Sequence, residues 1–156
     1  AYVVLAADGV RRPLTLIKRE QPLGSADERR VLAASAVRQV RAMMEEVVTR
    51  EGTGLKASVP GYRVAGKTGT ARKSIGGHYT NRYFALFAGM APASDPRLVM
   101  VILIDEPKGG AYYGGTVAAP VFSATMGGAL RILNVTPDDL PNLRLAVEAP
   151  VAGATP

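Results

Sequence analysis

Lys67-Thr68-Gly69-Thr70 is the run in this sequence best suited to chemistry. On a strand beside a groove, Thr68 and Thr70 fall on one face, where two hydroxyls can grip a carboxylate. Lys67 supplies positive charge. Gly69 removes a side chain, so a ligand can approach the backbone. The Thr70 N–H is then an oxyanion donor for acyl transfer, a kind of donor whose loss costs about 100- to 1,000-fold in rate. Lys67 falls on the opposite pleat, so twist or a bulge must bring it round. An exposed polar edge strand without chemistry explains the tetrapeptide alone equally well.

The same residues close Gly61-Tyr62-Arg63-Val64-Ala65-Gly66-Lys67-Thr68, which matches the G-x-x-x-x-G-K-[ST] phosphate loop. Leu98–Ile104 followed by Asp105-Glu106 imitates the apolar strand and acidic pair of nucleotide hydrolases. The context argues against an ATPase. A phosphate loop follows a buried strand and opens into a helix, whereas Leu55–Pro60 is short and polar, and Gly69 and Gly76-Gly77 leave no helix downstream.

Composition removes other chemistries. The 156 residues include no cysteine, which excludes disulfides, thiolate metal sites and cysteine nucleophiles. A single histidine, His78, excludes a two-imidazole metal site, and no metal or cofactor is expected. It lies in a polar, Gly-flanked segment that reads as a solvated loop. The longest strongly apolar run, Leu98–Ile104, is far short of the roughly 20 residues of a membrane span. A net charge of +6 suits an anionic ligand. The basic pairs Arg11-Arg12, Lys18-Arg19 and Arg29-Arg30 are scattered and lack interleaved aromatics, which speaks against nucleic acid.

The elements around the motif can be read from hydrophobic pattern and turn residues. Ala1–Ala7 reads as a helix stopped by Asp8-Gly9, and Leu14–Ile17 as a short strand. Ser25-Ala26-Asp27-Glu28 fits a capping box for a helix over residues 27–50. Its expected buried face is Leu32, Ala36, Val40, Met43 and Val47, flanked by Val37, Met44 and Val48, with both methionines as core. Tyr62–Ala71, Tyr83–Met90 and Arg97–Asp105 read as three strands, the last apolar enough to be central. Arg72–Asn81 reads as a polar connection. Strands joined this closely pair antiparallel. Thr116 is placed to cap a last helix running to about Leu133, with Pro120 in its first turn. Gly127-Gly128 inside it implies close packing. The domain is expected over residues 1–136, with a Pro/Ala-rich, frayed tail over 137–156. The fold class is therefore α/β of the α+β type, an antiparallel sheet flanked by helices.

The wider stretch Gly61–Lys73 resembles the third active-site motif of class B penicillin-binding proteins. Asn81-Arg82-Tyr83, Phe87–Ala93 and Tyr112–Phe122 resemble the segments downstream of that motif in the division-specific branch, the septal peptidoglycan transpeptidases. Residues 1–20 and 27–50 are similar too. The departure is that none of Ser25, Ser35, Ser58, Ser74, Ser94 and Ser123 begins an S-x-x-K or S-x-N motif.

The resemblance therefore implies a C-terminal half, with the nucleophilic serine, its lysine base and the S-x-N motif on polypeptide upstream of Ala1. It implies a five-stranded sheet, of which this chain gives the last three strands and closing helix. It implies acylation by β-lactams and by peptidoglycan stem peptides. Lys67, Thr68, Gly69 and Thr70 would hold the terminal carboxylate, with the Thr70 amide as oxyanion donor and Arg72 nearby. Tyr83, Tyr112 and Tyr113 would wall the ligand's side chain. It further implies divisome membrane proteins as partners, and the periplasmic face of the inner membrane, anchored from outside this chain. A D,D-carboxypeptidase or β-lactamase of the same fold is the alternative.

Overall fold

The three runs expected as strands form one antiparallel sheet, and helices cover both its faces. The computed structural model describes residues 1–17 and 28–141. In chain order these hold α1 (Tyr2–Ala6), β1 (Val10–Arg11), β2 (Arg29–Arg30), α2 (Ala34–Glu46) and a 3₁₀ turn (Leu55–Ala57). Then come β3 (Ala65–Ile75), β4 (His78–Ala91), β5 (Leu98–Asp105), α3 (Gly114–Val117) and α4 (Ala119–Ile132). The sheet order is β3-β4-β5, so β4 is central and the more apolar β5 lies at an edge of these three strands.

The hairpin is longer than its polarity suggested. Ile75 pairs with His78 across Gly76-Gly77, whose φ angles of 60° and 83° suit a two-residue turn that side chains disfavour. The expected connection over Arg72–Asn81 is thus mostly ladder, and the exposed His78 opens β4 instead of lying in a loop. The register shifts between Arg72↔Tyr83 and Ser74↔Tyr79. One residue, Lys73, therefore faces three on β4 (Thr80, Asn81 and Arg82), a bulge beside the site.

Phe87 and Met90, on opposite pleats of β4, anchor two cores. Phe87 meets Phe122 of α4 at 4.7 Å between ring centroids, among Val59, Met126 and Leu130. Ala119, Phe122, Met126 and Leu130 recur at helical spacing and are all buried. Met90, with Ala65 and Ala93, packs under Tyr2, Leu5 and Met44 of α1 and α2.

Several local expectations change. α2 starts at Ala34, because Arg29 and Arg30 pair with Arg11 and Val10. The proposed cap Ser25 lies outside the described residues. The buried face of α2 is Val37 and Arg41, with Met44 half-buried, while Val40 and Met43 are exposed. Arg41 reaches the Asp8 carboxylate at 3.1 Å, pinning α2 to the end of α1. Leu14–Ile17 is not a strand; its side chains are exposed, and Thr15 bonds locally to Ile17. Thr116 sits inside the short α3, and α4 starts after Ala118 with Pro120 in its first turn. Gly127 is packed against Val59, whereas nothing crowds Gly128.

Past α4 the chain returns to the start of β3. Tyr62 donates its hydroxyl to the Val135 carbonyl at 2.6 Å. Asp138 accepts the Arg63 N–H at 2.8 Å and the Ser94 hydroxyl at 2.6 Å.

Gly66 tests the packing of β3. A Cβ there would lie 2.5 Å from the fully buried Phe87 ring. Gly66→Ala is expected to destabilise the fold by about 1–3 kcal/mol, the usual cost of overpacking. Urea unfolding measures it, and an unchanged midpoint would mean that Phe87 yields freely.

Candidate active site

β3 is the edge strand on the motif's side of the sheet, so its backbone is open to a groove. The groove, of about 320 Å³, is lined by Thr53, Thr68, Thr70, Tyr113 and the first three residues of α3, Gly114–Thr116. Thr68 and Thr70 thus share one side, as strand alternation requires. Lys67 does come round. Its Nζ donates to the Thr68 carbonyl at 3.2 Å and to Thr68 Oγ1 at 3.3 Å. The long side chain curls across the strand edge, so no bulge is needed at this point.

The hydroxyls are held by their own partners. Gly114 donates its N–H to Thr70 Oγ1 at 3.2 Å, which leaves the Thr70 proton free to donate into the groove. Thr68 Oγ1 lies 2.9 Å from Thr53 Oγ1, and with Thr53 as donor the Thr68 proton is free in the same way. Close packing brings these groups together. A Cβ on Gly114 would lie 2.4 Å from the Gly69 carbonyl, and one on Gly115 would lie 2.0 Å from the Thr53 carbonyl. A Cβ on Gly69 itself would meet Leu86 at ordinary contact distance. Thr53 is the groove residue that sequence reasoning missed. Its only local signal was its place between Gly52 and Gly54.

The aromatic residues assemble beside this strand. Tyr83 stacks on Tyr112 at 4.2 Å, and Tyr112 lies 4.5 Å from Tyr113 and donates its hydroxyl to it at 3.3 Å. The Arg72 guanidinium sits 5.8 Å over the Tyr83 ring. Tyr113 also lines the threonine groove, so the wall and the motif form one continuous surface. The hydrogen bond to Tyr113 raises the Tyr112 pKa above its ordinary value.

Nothing here resembles a nucleotide site. Lys67 and Thr68 lie within β3, with no helix opening after them. Asp105 and Glu106 are engaged by Lys73 at 2.8 and 2.6 Å, and Glu106 also by Arg82.

With that geometry in view, comparison by sequence matches residues 1–127 to the penicillin-binding-protein transpeptidase domain. The chain belongs to that family. This penicillin-binding-protein transpeptidase chain is 48% identical over 141 residues to peptidoglycan D,D-transpeptidase FtsI of Escherichia coli, covering 89% of this chain and 23% of that protein. It is 43% identical over 152 residues to the probable peptidoglycan D,D-transpeptidase PenA of Neisseria gonorrhoeae, covering 96% and 25%. The apo transpeptidase domain of Burkholderia pseudomallei penicillin-binding protein 3 superposes with a TM-score of 0.78 at 46% identity, covering 88% of this chain and 41% of that one. The chain thus spans about a quarter of the length of these curated relatives.

The ionic cluster makes a pH prediction. Hydrogen bonds from Arg82 and then Lys73 lower the Glu106 pKa from 4.5 to about 2. A carboxylate lowered on folding adds stability above its unfolded pKa, and the contribution is lost as pH falls through the folded value. Stability should therefore decline between pH 4.5 and about 2, less steeply in Glu106→Gln. Denaturant unfolding across that window checks it; identical acid limbs would contradict the ion pairing.

Proposed function

We propose that this chain is the C-terminal part of a septal peptidoglycan D,D-transpeptidase, the domain occupying residues 1–136 and residues 137–156 forming a tail that is not frayed at its start, where Asp138 is bonded back to Arg63 and Ser94. Lys67, Thr68 and Thr70 hold the terminal carboxylate of a stem peptide, with Gly69 letting it approach the strand and Arg72 adding charge. The Thr70 N–H donates to the oxyanion. Tyr83, Tyr112 and Tyr113 face the ligand's side chain.

The serine is supplied by upstream polypeptide bearing S-x-x-K and S-x-N. Its oxygen attacks the penultimate D-alanine carbonyl, the C–N bond breaks, and the protonated terminal D-alanine leaves. An amine on a neighbouring strand then attacks the acyl-enzyme carbonyl, loses a proton and releases the serine. β-Lactams enter as the same kind of acyl donor. The protein works at the periplasmic face of the inner membrane beside divisome membrane proteins. The reading puts the anchor on upstream polypeptide; among the described residues no helix is long and apolar enough to cross a membrane.

One observation carries this reading: in a chain of this family, an edge strand turns two threonine residues toward one groove, with the Lys67 ammonium bonded to the first of them. Intact-mass spectrometry of the longer polypeptide with a penicillin is the test. A long-lived adduct is expected on an upstream serine, forming about 100-fold more slowly in Lys67→Ala. No adduct would overturn the reading. Rapid loss of the adduct by hydrolysis would favour a carboxypeptidase or β-lactamase.

A further inference from the structure

Glu106 has no part in the chemistry above, yet three contacts hold it. Its N–H donates to the Tyr83 carbonyl at 2.9 Å. Its Oε1 accepts Lys73 Nζ at 2.6 Å and also pairs with Arg82. Lys73 and Arg82 are the facing sides of the bulge, from β3 and β4. Their neighbours Arg72 and Tyr83 are the cation and ring that meet beside the groove. One carboxylate thus grips both strands directly behind the pair that presents the aromatic wall.

Two features set this apart from an ordinary surface ion pair, which contributes little. The Lys73 and Glu106 side chains are only 18% and 20% exposed, and the Lys73 ammonium also lies 4.8 Å from the Phe84 ring centre. Glu106 also has φ of 50°, a left-handed conformation that glycine or asparagine adopts more readily.

We propose that Glu106 is a positioning residue for recognition of the ligand's side chain. By tying Lys73 to Arg82 across the bulge, it sets where Arg72 and Tyr83 stand, and so how Tyr83 supports Tyr112 and Tyr113. The ligand class rests on the transpeptidase reading: an acyl donor whose carboxylate lies on the Lys67–Thr70 strand and whose bulky side chain lies on the rings.

The test compares two probes on the longer polypeptide. Benzylpenicillin carries an aromatic side chain, and 6-aminopenicillanic acid is the same nucleus without one. Glu106→Gln is expected to weaken binding of benzylpenicillin before acylation by about 2- to 10-fold, the worth of one aromatic contact. The acylation step itself and the reaction of the bare nucleus should stay unchanged. Equal slowing of both probes, or of neither, would overturn the proposal. Lys73→Met should shift selectivity in the same direction and carries the test if Glu106→Gln does not fold. A second readout needs no activity: the Tyr112 ring-proton shifts, displaced by stacking on Tyr83, should relax toward free-tyrosine values in Glu106→Gln. If neither probe acylates the wild type, the transpeptidase reading fails, yet unmoved Tyr112 resonances would still overturn the clamp and relaxed ones support it.

Discussion

The hydrogen bond from the Gly114 N–H to Thr70 Oγ1, 3.2 Å long, joins the two stretches on which the groove depends. An edge strand alone offers a ligand a flexible, hydrated backbone. Here β3 is paired along one side to β4, and α3 closes over its threonines from a segment more than forty residues later. That approach is possible only because Gly114 and Gly115 carry no side chains where they meet the Leu86 and Thr53 carbonyls. The threonine hydroxyls are thereby oriented in advance, and groups already ordered lose less freedom on binding a ligand.

Behind the groove, the structure divides its work between two kinds of force. Phe87 packed on Phe122 fixes the height of β3 and β4 over α4, and that contact is apolar and buried. The far half of the hairpin reaches into solvent, where apolar burial cannot hold it. There Lys73, Arg82, Asp105 and Glu106 tie β3, β4 and the end of β5 together with charge. The aromatic wall sits at the junction between the two regimes.

Much of this was legible in the chain. Lys67–Thr70, with its flanking residues, marked both the family and the groove, and the apolar alternation of residues 83–105 marked two of the strands. What stayed hidden depended on partners far away in sequence. Arg29 and Arg30 read as helix, because only pairing with Val10 and Arg11 makes them strand. The faces of α2 were ambiguous, since residues 36, 40 and 43 and residues 37, 41 and 44 both suit a 3.6-residue repeat. The buried one contains an arginine whose compensation, Asp8, lies in the turn after α1. The polar half of the hairpin carries no apolar alternation to read, and Thr53 has no motif of its own.

The most direct measurement is a crystal structure of the longer polypeptide acylated by a β-lactam. The ligand carboxylate should lie within hydrogen-bond distance of the Thr68 and Thr70 hydroxyls and near the Lys67 ammonium, with its carbonyl oxygen on the Thr70 N–H. A covalent adduct whose carboxylate points away from β3, leaving these groups in solvent, would contradict the account.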